Sequence, residues 1–355
     1  MNHTGFPGCD NTTRNSAIDG RPVSVIPFVA CPCHHLARSG DAAQDGLPDA
    51  YTPANPISSL LLLSMRIAIP GRSVLMTAMA ALIAFMASGQ SQQPTLHEGF
   101  VDVPGAKIYY TDSGGPGSPV MFLHASTGSA EVWEKQIPAF TRAGYRFIAY
   151  ERRGFGRTVA DPKGPPSTGP DDLLALVDHL RIDKFHLVGT AGGGFVALDF
   201  VISYPQRVRS FTLLCSQGGV QDEDYREAIK RLAPEGFDKM PQTFRELSPS
   251  YRVANPDGVE RWSAFESRNR APQAVRGPAQ PTKNRVTLAL LEGIKIPTLM
   301  IAADADLYAP PALMRRMADR IQGTQFVVFP DAGHSVWWEA PDKFDRTVLT
   351  FIARQ

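Results

Sequence analysis

Phe185-His-Leu-Val-Gly189-Thr-Ala-Gly-Gly-Gly194 is the most informative stretch of this sequence. Phe185 to Gly189 (FHLVG) is apolar enough for a strand buried on both faces, and Gly193 to Ser203 reads as a helix. A buried strand, a glycine-framed turn and a helix are the setting of the nucleophile elbow, G-x-S-x-G. That turn is so sharp that its central residue needs a positive φ, and Cβ atoms on its neighbours would collide. Gly189, Gly192 and Gly193 supply the frame here, but the apex is Ala191. Alanine has no lone pair, so no acyl intermediate can form on it.

Outward from the turn, residues 97–355 alternate short apolar runs with longer amphipathic ones, as an α/β architecture requires. Strands are expected at 100–103, 107–111, 120–124, 146–150, 208–215, 297–302 and 325–329. Helices are expected at 130–143, 171–180, 311–320 and 341–353. Residues 217–290 break the alternation, with many Pro, Arg and Glu and with Trp262 and Phe265 among them. This reads as an insertion into one domain, with the role of a helical lid.

The segment before residue 97 has a different character. Residues 1–64 mix Gly, Pro, Asn, Ser and Asp without an apolar period, which suits disorder or sequence outside the mature protein. From Met65 the order changes: Arg66 and Arg72, the apolar run Val74–Ala87, then Ala87-Ser88-Gly89 and a polar stretch. Positive, apolar, small and cleaved is the order of a secretory signal, and the run is short of the roughly 20 residues of a membrane span. The expectation is an exported protein translated from Met65, without stable membrane insertion after signal cleavage. The alternative is an N-terminal anchor behind a cytosolic extension.

Composition narrows the function. Of 355 residues, 43% are hydrophobic and 20% charged, ordinary for a globular protein, and a net charge of +1 gives no reason to expect nucleic acid. Of four cysteines only Cys215 lies in the folded part, and Cys31-x-Cys33-His34-His35 matches no closed zinc pattern, so no metal is expected. No dinucleotide fingerprint lies in the domain, so no cofactor is implied. The expected partner is a small molecule, and no sequence feature sets an oligomeric state.

Further motifs stand in a consistent order. His124-Ala125-Ser126-Thr127-Gly128 is followed by Trp133, Gln136 and Phe140. Then come Glu151-Arg-Arg-Gly-Phe-Gly-Arg-Thr158, Ala303-Asp304-Ala305-Asp306 ahead of Pro310, and Gly333-His334 ahead of Glu339, Pro341 and Phe344. Together with the turn, these make residues 97–355 resemble the α/β-hydrolase superfamily, in its esterase, haloperoxidase and C–C hydrolase branch. The resemblance implies the α/β-hydrolase fold: a mostly parallel, eight-stranded-type sheet flanked by helices, with a helical lid.

It also implies site residues. His334 is the expected general base and Asp306 its orienting acid, with Asp304 the rival two residues away. Ala191 holds the nucleophile position. The amides of Gly192 and Ser126 (or Ala125) are the expected oxyanion donors, and backbone donors do not depend on the side chain at 191. Ala125, Thr190, Trp133 and Trp337 are expected around the substrate, and His124 is expected to hold the oxyanion loop. Three functions stay open: a His–Asp enzyme acting on a small, largely apolar carbonyl compound without a covalent step, a serine esterase whose nucleophile is exchanged for alanine, and a small-ligand binder. In a triad enzyme, losing the serine costs on the order of a millionfold in turnover.

Overall fold

The computed structural model describes residues 95–161, 163–269 and 280–355. The extension at 1–64 and the signal-like segment at 65–89 lie outside the described residues. Among the described residues nine strands form one sheet: β1 (His97–Val103), β2 (Ala106–Asp112), β3 (Pro119–Leu123), β4 (Arg146–Tyr150), β5 (Val159–Ala160), β6 (Phe185–Thr190), β7 (Val208–Leu214), β8 (Thr298–Ala303) and β9 (Gln325–Phe329). Their order is β1-β2-β4-β3-β6-β7-β8-β9, with the two-residue β5 attached to β2. Every pairing that involves β2 is antiparallel. From β4 to β9 the sheet is parallel. The mostly parallel α/β-hydrolase fold is therefore present.

Parallel strands bury both faces, which explains the continuous apolar runs. Every residue of β6 and of β8 is buried. Period-two alternation divides the core between the faces. Met121, Leu123 and Leu187 join one cluster with the helices Gly169–His179 and Ala191–Ser203; Val120, Phe122 and Val188 join another with Trp133, Trp337 and Phe344.

One local expectation changes. The helix expected at 130–143 is a 3-10 turn, Ala130–Trp133, followed by an α-helix, Gln136–Arg142. Pro138 lacks an N–H and fits only the first helical turn, so the α-helix begins within a turn of it. Between β7 and β8 the chain forms short helices, Glu223–Lys230, Gln242–Glu246, Pro249–Ala254, Pro256–Asn269 and Leu288–Leu291. Among the described residues no helix is long and apolar enough to cross a membrane.

Candidate functional site

The ends of β3, β6, β8 and β9 meet along one sheet edge. At the end of β6, Ala191 has φ +47°, the left-handed region that a side chain rarely adopts. Its neighbours show why glycine is needed. A Cβ on Gly189 would stand 2.6 Å from the Ala197 methyl, and one on Gly193 2.4 Å from the Leu123 carbonyl oxygen. Ser216 Oγ fixes the turn from β7 by donating to the Ala191 carbonyl at 2.7 Å, and it accepts from the Gly218 N–H at 3.1 Å.

Beyond β9, His334 donates Nδ1–H to Asp306, 2.9 Å from each carboxylate oxygen. Asp306 Oδ1 also accepts from the amides of Tyr308 (2.7 Å) and Ala309 (3.0 Å). Both side chains are buried, whereas the rival Asp304 is exposed. Burial disfavours charge on Asp306, yet His334 and those two amides hold its carboxyl below the usual range. Burial likewise opposes protonation of His334, but the charges of Asp306 and Glu246 outweigh it and raise the imidazole to about 9.

A cavity of about 260 Å³ opens against this edge. Ala125, Ser126, Ala191, Gly192 and His334 all line it. Gly192 is the second residue of its helix, where backbone N–H groups have no intrahelical acceptor. Thr190, Trp133 and Trp337, expected around the substrate, do not line this cavity. Thr190 is fully buried beneath the turn, and the two tryptophans pack on each other in the core at 5.5 Å between ring centroids. Trp262 is spent on the core too, donating Nε1–H to Ser335 Oγ at 3.1 Å. His124 braces the loop after β3: Nδ1–H donates to the Ala125 carbonyl at 2.7 Å and Nε2 accepts from the Arg152 N–H at 3.1 Å.

Tyr308, Phe195 and Glu246 are among the lining residues that the sequence reading did not single out. Tyr308 lies with its ring centroid 4.6 Å from that of His334. Phe195 comes from the first turns of the helix after Ala191. Glu246 ends one of the short helices of the insertion; it is buried, and its carbonyl accepts from the Ser335 N–H at 3.1 Å. The insertion thus supplies part of the cavity wall and is bonded directly to the histidine loop. Cys215 lines the cavity as well, but burial and the nearby Asp306 charge push its thiol up, so it stays protonated.

This sheet edge and its parallel core define the class of protein. Residues 118–341 match the family model described as the alpha/beta hydrolase fold, and the chain belongs to that family. More particular likenesses follow. A Mycobacterium tuberculosis protein that carries the name non-heme bromoperoxidase BpoC is 28% identical over 254 residues, 68% of this chain and 96% of that protein. A 2-hydroxy-6-oxononadienedioate/2-hydroxy-6-oxononatrienedioate hydrolase of Klebsiella pneumoniae is 28% identical over 268 residues, 70% of this chain and 91% of the hydrolase. The solved structure of a thermophilic esterase from Thermogutta terrifontis superimposes with TM-score 0.60 at 27% identity, covering 73% of this chain and 98% of the esterase.

Proposed function

We propose that the chain is an enzyme that works on a small carbonyl compound through a His334–Asp306 pair and a backbone oxyanion hole, with no covalent step at residue 191. The observation that carries the reading is the buried His334–Asp306 contact, 2.9 Å to each carboxylate oxygen, beside a cavity that Ala191, Gly192 and Ser126 also line. A base facing backbone donors can take a proton next to a carbonyl while the donors receive the negative charge. His334 Nε2 accepts the α-proton; the C–H electron pair forms the C=C bond of an enolate, and the carbonyl π electrons move to oxygen, under the Gly192 and Ser126 amides. Asp306 fixes the tautomer and stabilises the imidazolium. The largely apolar wall of Ala125, Ala191, Phe195 and Cys215 suits a small, mostly apolar substrate. The helical insertion acts as the lid, with Glu246 facing the substrate. Export from Met65 remains part of the proposal, and its check is N-terminal sequencing, which should find a mature chain beginning near Gln90.

The test is deuterium uptake at the carbon next to the carbonyl of a small ketone, followed by NMR. The chain should catalyse uptake, and His334→Ala should abolish it. Because the base is the neutral imidazole, the rate should climb with pH and level off above about 9. Uptake unchanged in His334→Ala would overturn the proposal. A second reading is favoured by Ala191 itself, which keeps the left-handed backbone of a nucleophile apex. If the protein is a disabled serine esterase, Ala191→Ser will hydrolyse aryl esters strongly, and the natural chain will show no ketone chemistry.

A further inference from the structure

Arg152 has no part in the chemistry above. It follows β4; its side chain lies over the Phe155 ring at 4.5 Å, and one terminal nitrogen sits 3.4 Å from Ser126 Oγ. Its Nε is sealed from solvent and meets no acceptor among the described residues. The adjacent Arg153 is different, for it grips Asp172 with two nitrogens at 2.7 and 2.8 Å.

A second cavity of about 420 Å³ lies beside Arg152 and shares Ser126, Gly192 and Phe195 with the first. The other charged groups lining it are already engaged. Arg153 is held by Asp172, and Asp199 accepts from the amides of Lys283 (2.7 Å) and Asn284 (3.1 Å). Burial pulls the Arg152 guanidinium down to about 10, so it remains a cation at neutral pH. A half-buried guanidinium without a counter-ion among the described residues is held at a cost that an incoming anion would offset. In the first cavity the cation at neutral pH is His334, and it is already faced by Asp306 and Glu246. Between the two cavities, a Cβ on Gly192 would stand 2.3 Å from Ser126 Oγ and 3.3 Å from an Arg152 nitrogen, so glycine keeps that passage open.

We propose that Arg152 and the second cavity form a subsite for a carboxylate carried by the substrate, whose carbonyl occupies the first cavity. The proposal rests on the functional reading only for the position of the carbonyl. It assigns a substrate with an apolar reacting half and an anionic tail, recognised through the planar guanidinium fork.

The experiment is equilibrium binding by ligand-observed NMR, with levulinate and its neutral amide as probes. The natural chain should bind levulinate at least about tenfold more tightly than the amide, as a charge-assisted hydrogen bond provides. Arg152→Met keeps a stem to cover Phe155 and should erase the preference while leaving amide affinity unchanged, which also reports an intact cavity. Should that variant fold poorly, salt decides on the natural chain: levulinate affinity should fall with ionic strength and amide affinity should not. Equal binding of the two probes by the natural chain, or a carboxylate preference that survives Arg152→Met or ignores salt, would overturn the subsite. No turnover is involved, so a failed subsite leaves the His334 chemistry standing, and His334→Ala leaves the subsite testable.

Discussion

The loops after β3 and β9 each bury a histidine, and the two histidines end in opposite states. His124 donates Nδ1–H to a carbonyl and accepts at Nε2 from an amide N–H, two neutral partners. Burial, helped by the Arg152 charge, depresses it well below the ordinary value. His334 is as thoroughly enclosed, yet Asp306 and Glu246 raise it. Desolvation acts on both rings in the same direction, so the partner atom decides the sign. Of these two rings, His124 is suited to holding a loop and His334 to moving protons.

The sharpest way to break this comparison is Asp306→Asn. It removes the main charge that favours the His334 imidazolium, so the NMR titration should move from about 9 to the ordinary histidine value or below. Activity on the ketone should drop by on the order of 10⁴-fold, the scale of losing an orienting carboxylate. A titration that stays near 9 would show that the charge of Asp306 is not the cause.

Stability should show the same opposition. A histidine whose folded pKa is raised stabilises fully below its unfolded value, and that contribution is lost as pH climbs from about 6.5 to about 9. His124, depressed in the fold, contributes above about 6.5, and its share is lost as pH falls below that value. Denaturation curves against pH should therefore lose the alkaline fall in His334→Asn and part of the acid fall in His124→Asn.

Asp345 extends the comparison to a carboxyl. Burial raises it to about 7, and its Oδ1 has no hydrogen-bond partner among the described residues, whereas Asp306 beside His334 is lowered. A raised carboxyl loses stability as pH rises from about 4 to about 7, so Asp345→Asn should raise Tm at pH 8 and change it little at pH 4. The smallest effect is expected at the apex. Ala191→Gly removes the left-handed penalty and should stabilise by about 1 kcal/mol in urea titrations, less the added chain entropy of glycine.

Much of this was legible in the sequence for definite reasons. Parallel strands bury both faces, so FHLVG, VMFLH and RFIAY announced themselves as unbroken apolar runs. The demands of a tight turn made Gly189, Gly192 and Gly193 readable before any coordinates. The two residues of β5 are too few to carry a period. Trp133 and Trp337 misled because an aromatic ring has the same appearance in a sequence whether it meets a ligand or another ring. Arg152 stood within a motif, but nothing local says whether an arginine finds an acid, as Arg153 did, or lacks one. Glu246 sat in an aperiodic insertion, where only packing against Ser335 reveals its neighbour.

The strand order has a consequence for how the molecule comes into being. Ser126, Ala191, Asp306 and His334 span more than half the chain in sequence and are adjacent only because β3, β6, β7, β8 and β9 lie side by side. A pocket assembled from such distant segments exists only once those long-range pairings have closed, a slow event for parallel sheets. A small molecule captured there recognises the finished protein and no partly built one. Its gain in melting temperature would therefore gauge the completed fold.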